Sequence, residues 1–238
     1  MLHKGFRIDD YLPTLTLIQL FQDTNQPAEK RWAACLALGS KPDPEAFEVL
    51  QDALSASDWR IRRFALEAIK RHEQAPRAEG VIVAMLFDVD DVVRQTAARV
   101  CGELNFESAH DGLRQLLSDE NPDVRDIALT TLARLWREED FEAVFSLYRD
   151  DPARAVRIAA AKTLRRRVTP HTWRILFDAW SQDKEPRHRM WATELAAKFG
   201  VDDVAEDVAV LSRQDPNPNV RAAAVKALRM RPRDGSEA

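Results

Sequence analysis

The chain is poor in glycine and cysteine and has no long apolar run, and each shortage removes a class of protein. Seven glycines in 238 residues are too few for the many tight hairpin turns of an all-β fold. The two cysteines, Cys35 and Cys101, stand 66 positions apart without a Cys-x-x-Cys, which excludes a disulfide framework and a cysteine zinc site. Nowhere do about 18 uncharged apolar residues follow one another. The first eight residues carry a Lys and an Arg but no apolar stretch, so neither a membrane span nor an export signal is expected, and the expected location is the cytoplasm. Gly-x-Ser-x-Gly, phosphate-loop and dinucleotide signatures are missing too. One His-Glu dipeptide occurs, His72-Glu73, while His3, His110, His171 and His188 are scattered along the chain. No metal, no cofactor and no catalytic residue is therefore called for.

What the chain does have is a repeat. An apolar residue, an Arg, two residues and an Ala recur along its whole length. The arginines are Arg31, Arg62, Arg94, Arg125, Arg157, Arg189 and Arg221, at steps of 31, 32, 31, 32, 32 and 32. Three residues after them stand Ala34, Ala65, Ala97, Ala128, Ala160, Ala192 and Ala224; seven after them stand Leu38, Ile69, Cys101, Leu132, Leu164, Ala196 and Leu228. Spacings of three and four mark one helix face, and a small residue in its middle lets a neighbouring helix come close. Ahead of each of these helices lies another amphipathic stretch, at residues 10–22, 43–53, 78–87, 106–117, 139–148, 172–180 and 204–211. Each unit is thus a helical hairpin, with Asn121-Pro122 and Asn217-Pro218 suited to start its second helix. The expected fold is all-α, an α-solenoid of seven hairpins and about fourteen helices. It forms one domain over 1–238, with repeats at 9–40, 41–72, 73–104, 105–137, 138–168, 169–200 and 201–232 and a loose tail at 233–238.

The segment from Asp119 through Asn121-Pro122 and Arg125 to Ala128 resembles the inter-helix turn of a HEAT repeat, particularly the short bacterial kind of phycobilisome-lyase-type proteins. The likeness covers nearly the entire chain. It implies a hydrogen-bonded brace between neighbouring turns, formed by Asp88, Asp119, Asp151, Asp183 and Asp215 with Arg94, Arg125, Arg157, Arg189, Arg221 and the two earlier arginines. The pattern lacks its Asp at Asn25 and Ala56. The resemblance also implies that the second helices line a concave face. In that register the positions one and five after the Arg face solvent, among them Trp32, Arg63, Arg99, Ile158, Lys162, Met190 and Lys226. Trp32, Ile158 and Met190 either pack on an adjacent turn or anchor a partner.

Charge is divided between the two helix layers. The whole chain carries −4, yet the second-helix segments sum to +16 and everything else to −20. Setting aside the seven repeated arginines leaves +9, concentrated in the fifth and seventh repeats, at residues such as Lys162, Arg165, Arg166, Lys226 and Arg229. These residues, with Trp32, Arg63, Arg99, Ile158 and Met190, form the expected partner-binding face, and the expected partner is acidic. A protein-binding scaffold or client-holding accessory factor ranks first, because an acidic chain with pI about 5.8 is unusual for a nonspecific nucleic-acid binder. A nucleic-acid binder resembling HEAT-like DNA glycosylases ranks second, with Trp32 and Trp191 as stacking groups if they are not core. A HEAT subunit of a chromophore lyase ranks third.

Overall fold

Residues 11–230 are described in the computed structural model of the chain, and their backbone forms fourteen α-helices joined by turns and short 3-10 segments, with no strand among them. The expected tail at 233–238 and His3 lie outside the described residues. The helices are α1 (Thr14–Gln22), α2 (Ala28–Leu38), α3 (Pro44–Ala53), α4 (Trp59–Ile69), α5 (Glu79–Ala84), α6 (Asp91–Glu103) and α7 (His110–Leu116). They continue as α8 (Pro122–Leu132), α9 (Phe141–Asp150), α10 (Arg154–Arg167), α11 (Trp173–Ser181), α12 (Pro186–Phe199), α13 (Ala205–Gln214) and α14 (Pro218–Arg229).

Local chemistry sets where the second helices begin. Asp58, Asp90, Asn121 and Asn217 each accept a backbone N–H from two residues ahead, which satisfies a donor that the first helical turn leaves open. Pro122, Pro186 and Pro218 occupy first-turn positions where no N–H is needed. Helix α6 ends where Asn105 takes the left-handed conformation, φ 55°, and the Phe106 N–H reaches back to the Cys101 carbonyl at 3.0 Å.

Two of the expected first helices are shorter than their periodicity. Residues 78–87 form only the six-residue α5 between 3-10 turns at Ala75–Ala78 and Met85–Phe87, and Gly80 with the β-branched Val81, Ile82 and Val83 lowers helix propensity there. Residues 107–109 form a 3-10 turn ahead of α7. Helix α8 stops at Leu132, short of residue 137, and the chain turns at Glu138–Asp140, where the Asp140 carboxylate accepts the Arg137 N–H at 2.8 Å.

The chain divides into two compact units, residues 1–160 and 161–238, with the division inside α10. In the first unit the helices pair as hairpins, α1 with α2, α3 with α4, α5 with α6 and α7 with α8, while α2, α4, α6 and α8 pack in sequence as one layer. Its core is aliphatic, with Leu17, Leu38, Leu50, Leu66, Ile69, Leu113 and Leu129 fully buried. In the second unit α11 pairs with α12, α13 with α14, and α12 packs on α14. Aromatic rings dominate there: Trp173, Phe177, Trp180 and Trp191 are buried.

All seven repeat alanines are buried without measurable exposure. Close approach of the layers also shows at Gly39, where a methyl group would run into the Ala68 carbonyl of α4, and at Gly102, where it would lie 2.7 Å from the Thr131 methyl carbon. Since these contacts leave no free volume, Ala128→Leu should cost about 1–3 kcal/mol through overpacking. A urea melt of the variant that overlays the parent's would contradict this packing.

Candidate functional site

The second-helix face differs between the two units. In the first unit several of its cations are engaged by neighbours, while Arg71 is exposed. Arg99 donates to Glu103 at 2.6 Å and also bonds Glu67, while Lys70 lies 3.1 Å from Glu67 and 2.8 Å from Glu103, a closed set of two cations and two carboxylates spanning α4 and α6. Burial alone would raise the Glu103 carboxyl, but its bonds from Lys70 and Arg99 outweigh that and hold it below the usual range. Arg63 is half-buried, with its guanidinium 5.3 Å from the Phe64 ring centroid. Trp32 is half-buried and stacked on the same Phe64 at 5.3 Å. Ile158, near the start of α10, is half-buried as well.

The second unit leaves most of its cations without a carboxylate partner, although Lys198 lies 4.8 Å over the Phe199 ring. Lys162, Arg165 and Arg166 on α10, Lys198 on α12, and Lys226 and Arg229 on α14 are all exposed. Arg165 donates to Glu194 at 2.7 Å and lies 4.8 Å over the Trp191 ring. Among the described residues no carboxylate pairs with Lys162, Arg166, Lys226 or Arg229. The stretches 161–167, 186–199 and 218–229 hold ten Lys and Arg but one acidic residue, Glu194. Trp191 is buried against Trp180 at 5.6 Å and His188 at 5.2 Å, so it is a core residue and offers no ring for stacking. Half-buried Met190 opens instead onto a groove of about 470 Å³ between α12 and α14, walled by Glu194, Lys198 and Lys226 and floored by small and apolar side chains.

At the hairpin turns the recurring Arg and Asp meet one repeat apart. Two parallel hydrogen bonds join Arg62 to Asp88 (2.7 and 2.6 Å), Arg94 to Asp119 (2.7 and 2.9 Å) and Arg125 to Asp151 (2.7 and 2.8 Å) in the first unit. Arg189 and Asp215 do the same in the second, at 2.6 and 3.0 Å. The third guanidinium nitrogen donates to two carbonyls of the arginine's own turn, as when Arg157 and Arg221 bond the Asp151 and Asp215 carbonyls at 2.6 and 2.7 Å. Each Asp, Asp183 included, also accepts the N–H two residues on, at 2.7 to 2.9 Å. Arg31 has Ala56 where a carboxylate would stand, and donates to the Phe21 carbonyl at 2.9 Å. Burial pushes Asp88 and Asp151 upward, but the bonds and charges of the arginines prevail and hold both carboxyls below their ordinary range; in Asp215 the Arg189 bond is itself the largest influence.

Both cysteines are buried, as are His72, His110 and His188, while His171 is exposed. Burial pushes the Cys35 and Cys101 thiols up to about 12, so neither is a thiolate at neutral pH. The buried His72 ring accepts the Gln74 N–H at 3.1 Å, while Glu73 points to solvent. His110 and Asp140 form a buried pair at 3.0 Å in the first unit. No three His, Cys, Asp or Glu converge to hold a metal among the described residues. No helix among them is long and apolar enough to cross a membrane.

A model of HEAT repeats matches residues 14–86, 78–165 and 141–229. The chain belongs to the HEAT-repeat family. Its fold is therefore the α-solenoid class, built of HEAT-like hairpins. A solved chain of the CpcE and CpcF complex of phycocyanin lyase from Nostoc sp. PCC7120 is similar over 95% of this chain and 89% of its own, with TM-score 0.56 and 18% identity. An engineered protein is similar over 91% of this chain and 67% of its own, with TM-score 0.53 and 19% identity. The archaeal HEAT-like repeats protein from Thermococcus onnurineus NA1 is similar over 92% and 97%, with TM-score 0.51 and 17% identity. At these identities the likeness is one of fold. No curated protein matches the sequence.

Two parts of the HEAT face escaped sequence reasoning. Lys198 lies nine residues after its repeat Arg, outside the two positions read as exposed, and the Glu67–Arg99 and Lys70–Glu103 pairs cross between repeats. Reading charges across the 32-residue step would have found the latter, because equivalent positions of adjacent repeats face each other. The Arg–Asp pairs carry a pH signature. The carboxyl pKa values of Asp88, Asp151 and Asp215 are depressed in the folded state, so the stability they contribute is complete above the unfolded value of about 3.9 and drains away as pH falls below it toward the folded values. Thermal melts followed by circular dichroism should hold steady from neutral pH to about 5 and drop steeply below about 4. Asp151→Asn, which leaves the buried Arg125 without its counter-charge, should cost about 3 kcal/mol in a urea titration at neutral pH and flatten the acid drop.

Proposed function

We propose that this HEAT-repeat chain is a non-catalytic scaffold or accessory factor, and that it grips an acidic protein partner on the second-helix face of its second unit. The observation that carries this reading is the open cation set of α10, α12 and α14, where Lys162, Arg166, Lys198, Lys226 and Arg229 are exposed and Glu194, the only acidic side chain on these stretches, is already held by Arg165. Unscreened charge of one sign on one face attracts a complementary surface and speeds its docking. The first unit, where Arg99 is neutralised and Arg63 lies on Phe64, contributes less to this attraction. A binding role without chemistry accords with the burial of both cysteines and of His72, His110 and His188, and the two free thiols suit the reducing interior of a cell.

Lys162→Glu, Arg166→Glu and Lys226→Glu alter exposed side chains and should leave the helical circular dichroism signal intact. Combined, they should abolish capture of the partner from a native extract, and nuclease treatment should leave capture by the parent unchanged. Capture that survives the triple reversal would sink the reading. Capture lost on nuclease treatment would transfer the face to nucleic acid, with the salt dependence of binding then counting the phosphates engaged.

A further inference from the structure

The groove between α12 and α14 has a shape and a rim that narrow the kind of partner. Its floor is Met190, Ala197, Ala223, Ala227 and Met230, together with Thr193, whose hydroxyl is taken up by the Met190 carbonyl at 2.7 Å. It exists because α14 is small where α12 is large: two residues after the repeat Arg, α12 carries Trp191, packed inward, and α14 carries Ala223. From Met190 to Lys198 the groove follows α12 for about 12 Å, at about 1.5 Å per residue. A second helix that buries side chains at i, i+4 and i+7 presents them over about 10 Å, which fits that length. Above this floor stand Lys198 and Lys226, with Arg229 exposed on the next turn of α14, while the one carboxylate of the rim, Glu194, bonds Arg165 at 2.7 Å. An isolated apolar groove would take any greasy segment; this one is bordered by positive charge.

The geometry points to this groove as the docking site for an amphipathic helix of a protein partner, one with apolar residues along one stripe and carboxylates flanking it. This rests on the acidic-partner reading and adds a place and a shape to it. The large side chains of the helix fill the space left by Ala223 and Ala227, and its carboxylates meet Lys198 and Lys226. A basic helix of the same apolar pattern is repelled.

The test is a displayed library of helical peptides about five turns long, with apolar residues fixed at i, i+4 and i+7 and the flanking positions free, selected on the full chain. Enriched peptides should be acidic, and by fluorescence anisotropy they should bind at least about tenfold more weakly to Lys226→Glu and to Ala223→Leu, which fills the groove. Lys226→Glu changes an exposed side chain and keeps the test valid should Ala223→Leu not fold. Enrichment of neutral or basic helices, no enrichment at all, or equal binding to both variants overturns the groove. So does self-association of the chain that Lys226→Glu abolishes, which would give the groove to a second copy. Peptide binding that appears only once residues 231–238 are deleted would give it to the chain's own tail and overturn the proposal in the same way. Acidic peptides that ignore both variants but are lost on Lys162→Glu with Arg166→Glu would remove the groove and keep the acidic partner; failure of every acidic ligand would remove both.

Discussion

Helices of this chain meet at alanine. Each second helix places one at its middle, and each is shut away from solvent completely, so neighbouring backbones come closer than leucine would allow. Gly39 against the Ala68 carbonyl carries the same constraint to the helix end. Since a hairpin of two short amphipathic helices cannot bury its apolar surface alone, stability has to come from contact with the next hairpin, and that contact depends on these small residues. The larger aliphatic and aromatic residues then fill the space between the two helix layers of each unit.

The Arg–Asp pairs are a second, electrostatic link between successive hairpins, and they work differently from the alanine contacts. Every guanidinium in a completed pair spends two nitrogens on the next repeat's carboxylate and the third on its own turn's carbonyls, so it ties together the segments that precede two second helices. Planar two-point bonding fixes their relative orientation as well as their distance. Because both partners are largely buried, the pair is worth little as an isolated source of free energy but costly to break on one side only. It is therefore best understood as a device that sets register between hairpins. Where the carboxylate is missing, at Ala56, Arg31 turns to a main-chain carbonyl, and α1 is held to its neighbours by apolar contacts of Leu17, Ile18 and Phe21.

The repeat also divides charge usefully. One Arg in each hairpin is consumed by structure, so a formal count of positive charge on the second helices overstates what a partner meets. Cross-repeat pairs remove more of it in the first unit, where Glu67 and Glu103 stand within reach of Arg99 and Lys70. The second unit has a single carboxylate on the corresponding stretches and leaves Lys162, Arg166, Lys226 and Arg229 open. The charge asymmetry between the units thus arises from a handful of side chains on a repeated fold.

The sequence alone was enough to determine the number of hairpins, the helix-facing alanines and the starts of the second helices, because a 32-residue period and caps such as Asn121-Pro122 are local signals that a solenoid repeats along one dimension. It also showed which residue types recur at the turns, but not their distances or partners. Tertiary structure decided which charges remain available: whether Arg99 is a free cation depends on Glu67, 32 positions away on another helix, and Trp191 was settled as core by Trp180 and His188 closing around it. The groove beside Met190 was likewise invisible beforehand, since a cavity is an absence of atoms between two helices and no single stretch of chain encodes it.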